Sequence, residues 1–210
     1  MYRTVKRMLD FTLALFGGLL LSPLWLTVVC YISLGSPGPV LFTQRRVGMN
    51  KRIFTIYKFR TMRMDAPHDV PTHLLRNPDR YITPIGRFLR RTSLDELPQL
   101  INVLKGDMSF IGPRPALWNQ YDLIAERDRY VGRYGLTPNG LRPGLSGLAQ
   151  ISGRDELAIP EKARLDGLYA KEFGFPMDCR CFFGTLKSVL KSDGVVEGGA
   201  GGGKGDDPCA

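Results

Sequence analysis

The chain contains few cysteines and few histidines, and this scarcity excludes several classes of protein. Four cysteines in 210 residues are too few for the disulfide framework of a small secreted domain. The Cys179-Arg180-Cys181 spacing is one residue too tight for a zinc knuckle. The two histidines, His68 and His73, share no helical face and fall in a proline-rich segment that predicts a loop. We therefore expect reduced thiols in a cytosol-facing protein.

Acidic residues are almost absent from the first 60 positions, where Asp10 is the only one. Nearly all of the net charge of +9 arises in this segment from Arg3, Lys6, Arg7, Arg45, Arg46, Lys51, Arg52, Lys58 and Arg60. These residues bracket an apolar run instead of spreading over a folded surface, which argues against a nucleic-acid-binding protein. Positive charge so placed is typical of contact with anionic lipid headgroups.

No charged residue interrupts positions 11–34, but a proline does. A helix of this length would extend roughly 36 Å, enough to cross the bilayer core, and it is too long for the apolar part of a signal peptide. Pro23 lies near its centre, where it removes an intrahelical hydrogen bond and forces a kink. Ser22 can satisfy a carbonyl freed by the kink, which makes the break tolerable in lipid.

Two membrane arrangements fit this run. Basic residues flank both of its ends, and the positive-inside rule then places both ends on the cytoplasmic side. A bent helix that enters and leaves the same leaflet satisfies that rule. A kinked transmembrane helix is the more common use of such a segment. The residues alone do not decide between the two.

Beyond the apolar run, the pattern predicts a β-hairpin from residues 40–44 and 53–62. Alternation places Lys58 and Arg60 on one face of the second strand. The two cations either grip one anionic group or are ordinary surface charges.

The remaining pattern predicts a small mixed α/β body. Residues 178–192 predict an amphipathic helix with a basic polar face, suited to a membrane surface or to core packing. The predicted fold class is therefore α+β, with interfacial amphipathic helices. Its three parts are a membrane helix over 1–36, a catalytic domain over 37–192 and a disordered glycine-rich tail over 193–210.

Two adjacent carboxylates, Asp95 and Glu96, are the strongest chemical signal. Ser93 and Glu96 match the capping-box spacing, which gives the pair a purely structural interpretation. Pro98 fits this register poorly and fits better if Asp95 is the N-cap residue. In either case the carboxylates lie at the positive end of a helix predicted over 95–105, which lowers carboxyl pKa values and attracts anions.

Arginines near these carboxylates change the interpretation. Arg90, Arg91 and Arg114 flank the pair in sequence, and we expect Arg142 to join them in space. Arginine is well shaped for bidentate contact with phosphate. Carboxylates among phosphate-binding cations favour Mg²⁺, which takes one or two carboxylates together with substrate phosphate oxygens. One carboxylate would hold the metal ion while the other attacks phosphorus.

Five motifs then occur in order between residues 3 and 192: Lys58-Phe59-Arg60-Thr61-Met62, Ser93-Leu94-Asp95-Glu96-Leu97-Pro98-Gln99, Lys105-Gly106-Asp107-Met108-Ser109, Gly112-Pro113-Arg114-Pro115 and the segment Arg142 to Gln150. Together they resemble the monotopic polyprenyl-phosphate phosphoglycosyl transferases, the bacterial sugar transferase family. With no large N-terminal membrane domain in the sequence, the chain resembles the minimal form of that family.

The resemblance implies a re-entrant helix broken at Ser22-Pro23. It also implies amphipathic helices resting on inner-leaflet phospholipid, at the cytoplasmic face of the bacterial inner membrane. The implied reaction is the Mg²⁺-dependent transfer of a phospho-sugar from a UDP-sugar to undecaprenyl phosphate, with release of UMP. That step initiates the assembly of a glycoconjugate or polysaccharide.

The motifs also assign roles to residues by resemblance. Asp95 would be the nucleophile that forms a covalent phospho-sugar intermediate, and Glu96 would hold Mg²⁺. The cationic shell for the donor and acceptor phosphates would be Lys58, Arg60, Arg90, Arg114 and Arg142, with Gln150 contacting nucleotide or sugar. By analogy with minimal relatives the donor is N-acetylated and often 6-deoxy. The oligomeric state, monomer or homodimer, is left open.

Overall fold

The computed structural model describes residues 1–67, 77–153 and 157–191. The predicted tail over 193–210 and both histidines lie outside the described residues.

The N-terminal apolar run forms two helices, α1 (Tyr2–Leu20) and α2 (Ser22–Gly35), bent by 62°. Pro23 lies in the first turn of α2, where no intrahelical partner is needed for its missing N–H. The Ser22 hydroxyl donates to the Leu19 carbonyl at 2.8 Å, which confirms the expected local satisfaction of the break. No single helix in the described parts of the chain has the length and apolarity to span a bilayer, whereas this bent pair passes that test by length and composition only.

The body of the molecule is mixed α/β, as predicted, with two small sheets. β1 (Leu41–Val47) and β2 (Ile53–Phe59) form the predicted antiparallel hairpin, in which Gln44 faces Ile56. A second, parallel pair joins β3 (Ser109–Ile111) to β4 (Gly144–Ser146). The other helices are α3 (Pro84–Arg91), α4 (Gln99–Lys105), α5 (Tyr121–Asp128), α6 (Leu148–Ser152), α7 (Ile159–Lys171) and α8 (Phe175–Lys191).

Three apolar clusters join the bent helix pair to the body. Ala14 of α1 packs with Ile56 of β2 and Val103 of α4, and Ile32 of α2 packs with Phe59 and Leu89. A third cluster joins β3, α6, α7 and α8 around Tyr169, and Tyr2 of α1 packs against it. Each cluster removes apolar surface from water, so α1 and α2 are held against the body of the molecule by burial.

The apolar side chains outside these clusters are concentrated on α1 and α8. The exposed ones on α1 are Val5, Met8, Leu9, Phe11, Leu13, Leu15, Phe16, Leu19 and Leu20, and those on α8 are Phe175, Phe182, Phe183 and Leu186. An exposed apolar surface of this extent marks an interaction site. The helix predicted over 178–192 is confirmed as α8, which begins three residues earlier.

Candidate active site

The two carboxylates lie on a 3₁₀ turn, Leu94–Glu96, that connects α3 to α4. We call this segment the dyad turn. Ser93, just before it, has a left-handed backbone (φ 57°), and its side chain forms no capping hydrogen bond. The capping-box interpretation is therefore wrong.

The helix predicted over 95–105 begins four residues later than expected. Its N-cap is Pro98, with no side-chain capping bond, so Asp95 is not the N-cap either. The reversal of the chain at Ser93 breaks the register that the capping spacing suggested. Asp95 and Glu96, both in the dyad turn, therefore do not act as capping residues of α4.

Lys58 of β2 forms an ion pair with Glu96. Its ammonium nitrogen lies 2.6 Å from Glu96 Oε1, and the two side chains are 19% and 26% exposed. Partial burial makes such a pair stronger than one at the surface. The hairpin thus supplies a cation directly to the dyad turn.

Asp95 has a perturbed acidity. Burial raises its pKa to about 6, and the charge of Glu96 adds to the rise, while Lys58 and Arg90 oppose it. The expected lowering of this pKa is wrong, because loss of hydration outweighs the neighbouring positive charge. At neutral pH and above the carboxylate is largely ionised but poorly hydrated, which suits a nucleophile.

Arg90 is positioned by the contact between α3 and Thr61, two residues after the end of β2. Its Nε donates to the Thr61 hydroxyl at 2.9 Å. The Thr83 hydroxyl caps α3 by accepting from the Gly86 N–H at 3.0 Å. A Cβ at Gly86 would lie 2.0 Å from the Thr61 carbonyl oxygen, so only glycine permits this close approach. The structure therefore brings Arg90 and Lys58 to the dyad turn, and their role in binding phosphate stays a prediction.

Arg60 does not share an anion with Lys58. It is 5% exposed, and its terminal nitrogens donate to the carbonyls of Pro37 and Ser36, each at 2.8 Å. The guanidinium thus binds the chain at the end of α2, where C-terminal carbonyls attract cations. Arg60 ties the end of α2 to the hairpin, while Lys58 reaches Glu96 of the dyad turn.

Arg142 lies at the opposite end of α4 from the carboxylates. Its Nε donates to the Gly106 carbonyl at 3.0 Å, just beyond the last residue of α4. The seven residues of α4 separate it from the dyad turn by about 10 Å along the helix axis. The expectation that Arg142 joins the dyad in space is not met, because α4 lies between them.

Two further predicted residues lie elsewhere. Arg114 follows β3, where its carbonyl accepts from Arg127 at 2.9 Å. Gln150, on α6, is 8% exposed, and its amide nitrogen and oxygen have no hydrogen-bond partner among the described residues. Buried amides are normally paired, so Gln150 suits contact with a ligand. The phosphate role of Arg114 and the ligand role of Gln150 stay predictions.

Asn102 is a positioning residue that sequence reasoning missed. It is fully buried, accepts from the Tyr57 N–H at 3.1 Å and donates to the Thr55 carbonyl at 2.7 Å. These bonds fix α4 to β2 and so hold the dyad turn beside Lys58. The available signal was an amide inside the apolar stripe of a predicted helix, since a buried amide needs partners.

The donor set fits a magnesium ion that arrives with substrate. In the described parts of the chain no group of three or more His, Cys, Asp or Glu could hold a metal ion. The dyad offers two carboxylates, and Mg²⁺ often takes one or two together with water and phosphate oxygens. Because Oε1 of Glu96 contacts Lys58 at 2.6 Å, a metal ion there would compete with the ammonium group.

Known proteins resemble this chain over most of its length. The family model described as bacterial sugar transferase matches residues 1–192. An uncharacterized sugar transferase EpsL of Bacillus subtilis is 37% identical over 92% of this chain and 91% of its own length.

Two other relatives have names that state a reaction. The UDP-N-acetylgalactosamine-undecaprenyl-phosphate N-acetylgalactosaminephosphotransferase of Aeromonas hydrophila is 38% identical over 92% of this chain. The UDP-glucose:undecaprenyl-phosphate glucose-1-phosphate transferase of Escherichia coli is 39% identical over 88%. The chain spans 45% and 40% of their lengths.

Proposed function

Because this chain belongs to the bacterial sugar transferase family, we propose that it transfers a phospho-sugar from a UDP-sugar to undecaprenyl phosphate and releases UMP. This reaction initiates the assembly of a glycoconjugate or polysaccharide. The relatives whose names state a sugar phosphotransferase reaction support the reaction class. The observation that carries the proposal is the poorly hydrated Asp95 carboxylate, held on the dyad turn beside Lys58, Glu96 and Arg90.

The chemistry has two displacements at one phosphorus atom. A carboxylate oxygen of Asp95 attacks the phosphorus that bears the sugar, and the bond to UMP breaks with its electron pair leaving on UMP. A phosphate oxygen of the polyprenyl acceptor then attacks the same phosphorus, and the Asp95 carboxylate leaves. Covalent catalysis of this kind divides one difficult transfer into two easier ones.

The surrounding residues lower the barrier by charge. Lys58 and Arg90 place positive charge where the transferring phosphoryl group becomes more negative. Glu96 would hold Mg²⁺, which supplies neutralisation of the diphosphate charge when bound. Lys58 also opposes the rise of the Asp95 pKa, which keeps the nucleophile ionised near neutral pH.

The bent helix pair would set the depth of the site. A polyprenyl acceptor stays in the bilayer, so its phosphate must be met at the interface. With basic residues at both ends of the apolar run, α1 and α2 would enter and leave the cytoplasmic leaflet. The exposed apolar side chains of α8 would rest on the same phospholipid.

The expected donor, by resemblance to minimal enzymes, carries an N-acetylated and often 6-deoxy sugar. The names of the relatives include both glucose and N-acetylgalactosamine donors. A panel of UDP-sugars scored for UMP release would identify the donor.

The decisive experiment is to trap the intermediate. The purified protein is incubated with a UDP-sugar and Mg²⁺ but no acceptor, and intact mass is measured. We expect one added phospho-sugar on the wild-type chain, none on Asp95→Asn, and an unchanged adduct on the control Glu172→Gln, an exposed carboxylate. Release of UDP instead of UMP, or an adduct on Asp95→Asn, would overturn the assignment.

A further inference from the structure

A second charged site lies at the opposite end of α4 from the dyad turn. It is an open cleft at the start of α1, and the charged residues that line it are Arg3, Lys6, Arg7, Asp10 and Arg142. We call it the cationic cleft. The reaction proposed at Asp95 does not use it.

Part of the positive charge in the cleft is already bound. The terminal nitrogens of Arg7 donate to the carbonyls of Val103 and Leu104, at 2.5 and 2.9 Å, so Arg7 caps the C-terminal end of α4. The ammonium of Lys6 lies 2.6 Å from Asp178 Oδ2. These two cations therefore have structural partners within the protein.

Arg142 and Arg3 retain donors for a ligand. Among the described residues, Arg142 uses only its Nε, on the Gly106 carbonyl, and Arg3 contacts the Met49 sulfur at 3.7 Å. Burial, together with the charges of Arg7 and Arg3, lowers the pKa of Arg142. Positive charge is thus in excess in the cleft, and a bound anion would neutralise it.

The first turn of α1 is held rigidly at the cleft. Asp178, 9% exposed, accepts from the Tyr2 hydroxyl at 2.5 Å and from the Tyr169 hydroxyl at 2.6 Å, in addition to its ion pair with Lys6. Burial and Asp178 raise the pKa of both tyrosines, so they stay donors at physiological pH. The carboxylate thereby fixes α1 against α7 and α8 before any ligand binds.

The cleft lies next to the apolar surface of α1. Arg7 precedes Phe11 by four residues, which is about 6 Å along a helix, and Met8 and Phe11 are exposed. If the apolar face of α1 enters the bilayer, the cleft lies at headgroup depth. An anion that reaches this level is most simply the phosphate group of a lipid.

We propose that the cationic cleft binds the phosphate group of a resident anionic phospholipid, with Arg142 and Arg3 as its direct donors. Arginine forms charge-assisted, often paired, hydrogen bonds with phosphate. The separation of about 10 Å from the dyad turn favours a resident lipid over the reacting polyprenyl phosphate. The inference depends on the membrane placement of α1 but not on chemistry at Asp95.

The test is binding by the full-length protein in detergent without any sugar donor. The probes are dihexanoyl phosphatidylglycerol, a short-chain polyprenyl phosphate and inorganic phosphate, each titrated by calorimetry. We expect Arg142→Gln to weaken binding of the phosphatidylglycerol about tenfold, the usual effect of losing one charge-assisted contact. Arg142→Lys should retain more of the affinity than Arg142→Gln.

The matched control is Arg180→Gln, which removes the same charge from the exposed surface of α8 and should bind as the wild type does. If Arg142→Gln does not fold, Arg3→Gln provides the same measurement at an exposed residue of the first turn. Equal phosphatidylglycerol affinity in the arginine variants and the wild type would overturn the proposal. It would also be overturned if those variants lose only polyprenyl phosphate binding, or if inorganic phosphate binds as tightly as the lipid.

Repeating the titration on Asp95→Asn separates this inference from the proposed function. Unchanged phosphatidylglycerol affinity in that variant would support a lipid site that is independent of the nucleophile. Loss of affinity there would mean that the lipid and Asp95 share one site, against the proposal.

Discussion

The dyad turn and the cationic cleft lie at the two ends of α4 and carry opposite charge. Asp95 and Glu96 precede the helix, while Arg7 and Arg142 bind carbonyls in and just after its last turn. Acid before a helix and base after it agree with the helix dipole. The carboxylates do not cap α4, however, whereas Arg7 does. The charge of Arg7 at the C-terminal end of α4 therefore stabilises the fold, whereas the carboxylates at the N-terminal end do not cap the helix.

The two ends are alike in one physical respect. Burial raises the pKa of Asp95 and lowers the pKa of Arg142, so each group is pushed towards its neutral form. If each charge were fully paired with an opposite charge, the pKa shift caused by burial would be smaller. Ionised groups that are partly buried lower the free energy of unfolding. Such a cost is typical of binding sites, where a ligand of opposite charge compensates the group. The two shifts agree with the two sites that we propose, one at each end of α4.

The largest expected effect comes from Asp95→Asn. We expect transfer activity to fall by at least about 10³-fold, because an amide cannot form the covalent intermediate. UMP release with saturating Mg²⁺ is the measurement, with Glu172→Gln as the control. Retention of more than a tenth of the activity would contradict the role of Asp95.

The same variant should be more stable than the wild type. A raised pKa means that ionised Asp95 opposes folding above about pH 6, and that this opposition disappears as the pH falls from about 6 towards the ordinary value of 3.8. Asn removes the charge, so the free energy of unfolding at pH 8 should rise by about 1–2 kcal/mol after allowance for solvent screening. Urea unfolding at pH 8 and at pH 4.5 measures it, and an equal difference at both pH values would contradict the cause.

Asn102→Ala should disturb both ends of α4. It leaves the Tyr57 N–H and the Thr55 carbonyl without their partner, and unpaired buried groups destabilise by about 2–4 kcal/mol together. Because Asn102 ties α4 to β2, transfer activity and phosphatidylglycerol binding should both fall. Asn102→Asp keeps the acceptor and loses the donor, so it is the matched variant. A change at one end only would show that α4 is positioned by other contacts.

Asp178→Asn should disturb the cationic cleft alone. The variant keeps the shape of the side chain but removes the ion pair with Lys6, and we expect a loss of about 1–3 kcal/mol in unfolding free energy. Phosphatidylglycerol affinity should change, since Asp178 holds the first turn of α1. The pH profile of transfer should not change, and a shifted profile would contradict the independence of the two ends.

The smallest expected effect is a shift in the pH profile. Transfer by the wild type should fall about tenfold per pH unit below about pH 6 as Asp95 becomes protonated, measured as kcat/KM. Lys58→Gln removes the positive charge that most strongly opposes the raised pKa of Asp95. The acidic limb of the pH profile should therefore move to higher pH by about one unit. Lys105→Gln, at the other end of α4, is the control. An acidic limb that moves to lower pH in Lys58→Gln would contradict the expected direction of the Asp95 pKa shift.

Local patterns predicted the elements whose causes are local. Pro23 predicted the break between α1 and α2. The alternation of side chains predicted the β1–β2 hairpin, and amphipathic spacing predicted α8. The dyad turn was misread because Ser93 and Glu96 have a capping spacing while the backbone at Ser93 is left-handed. That conformation depends on how α3 and α4 are each placed in the folded body, which no short window of sequence contains.

Long-range contacts account for the other misses. Arg60 and Lys58 are two residues apart, yet one binds carbonyls at the end of α2 and the other binds Glu96. Arg142 was expected to join the other arginines near the dyad turn, but its Nε binds the Gly106 carbonyl beyond the end of α4. The positioning role of Asn102 was not predicted, because its partners, Tyr57 and Thr55, lie on β2, far away in sequence.

The amino-acid sequence by itself determined the family, the bent apolar run and the identity of the dyad, since motif order, proline chemistry and residue type need no third dimension. Only the tertiary structure decided that Asp95 has a raised pKa and that the basic residues divide between two ends of one helix. The reason is physical. Hydration and charge–charge energies depend on distance through the folded body, and distance is set by the packing of segments that are remote along the chain.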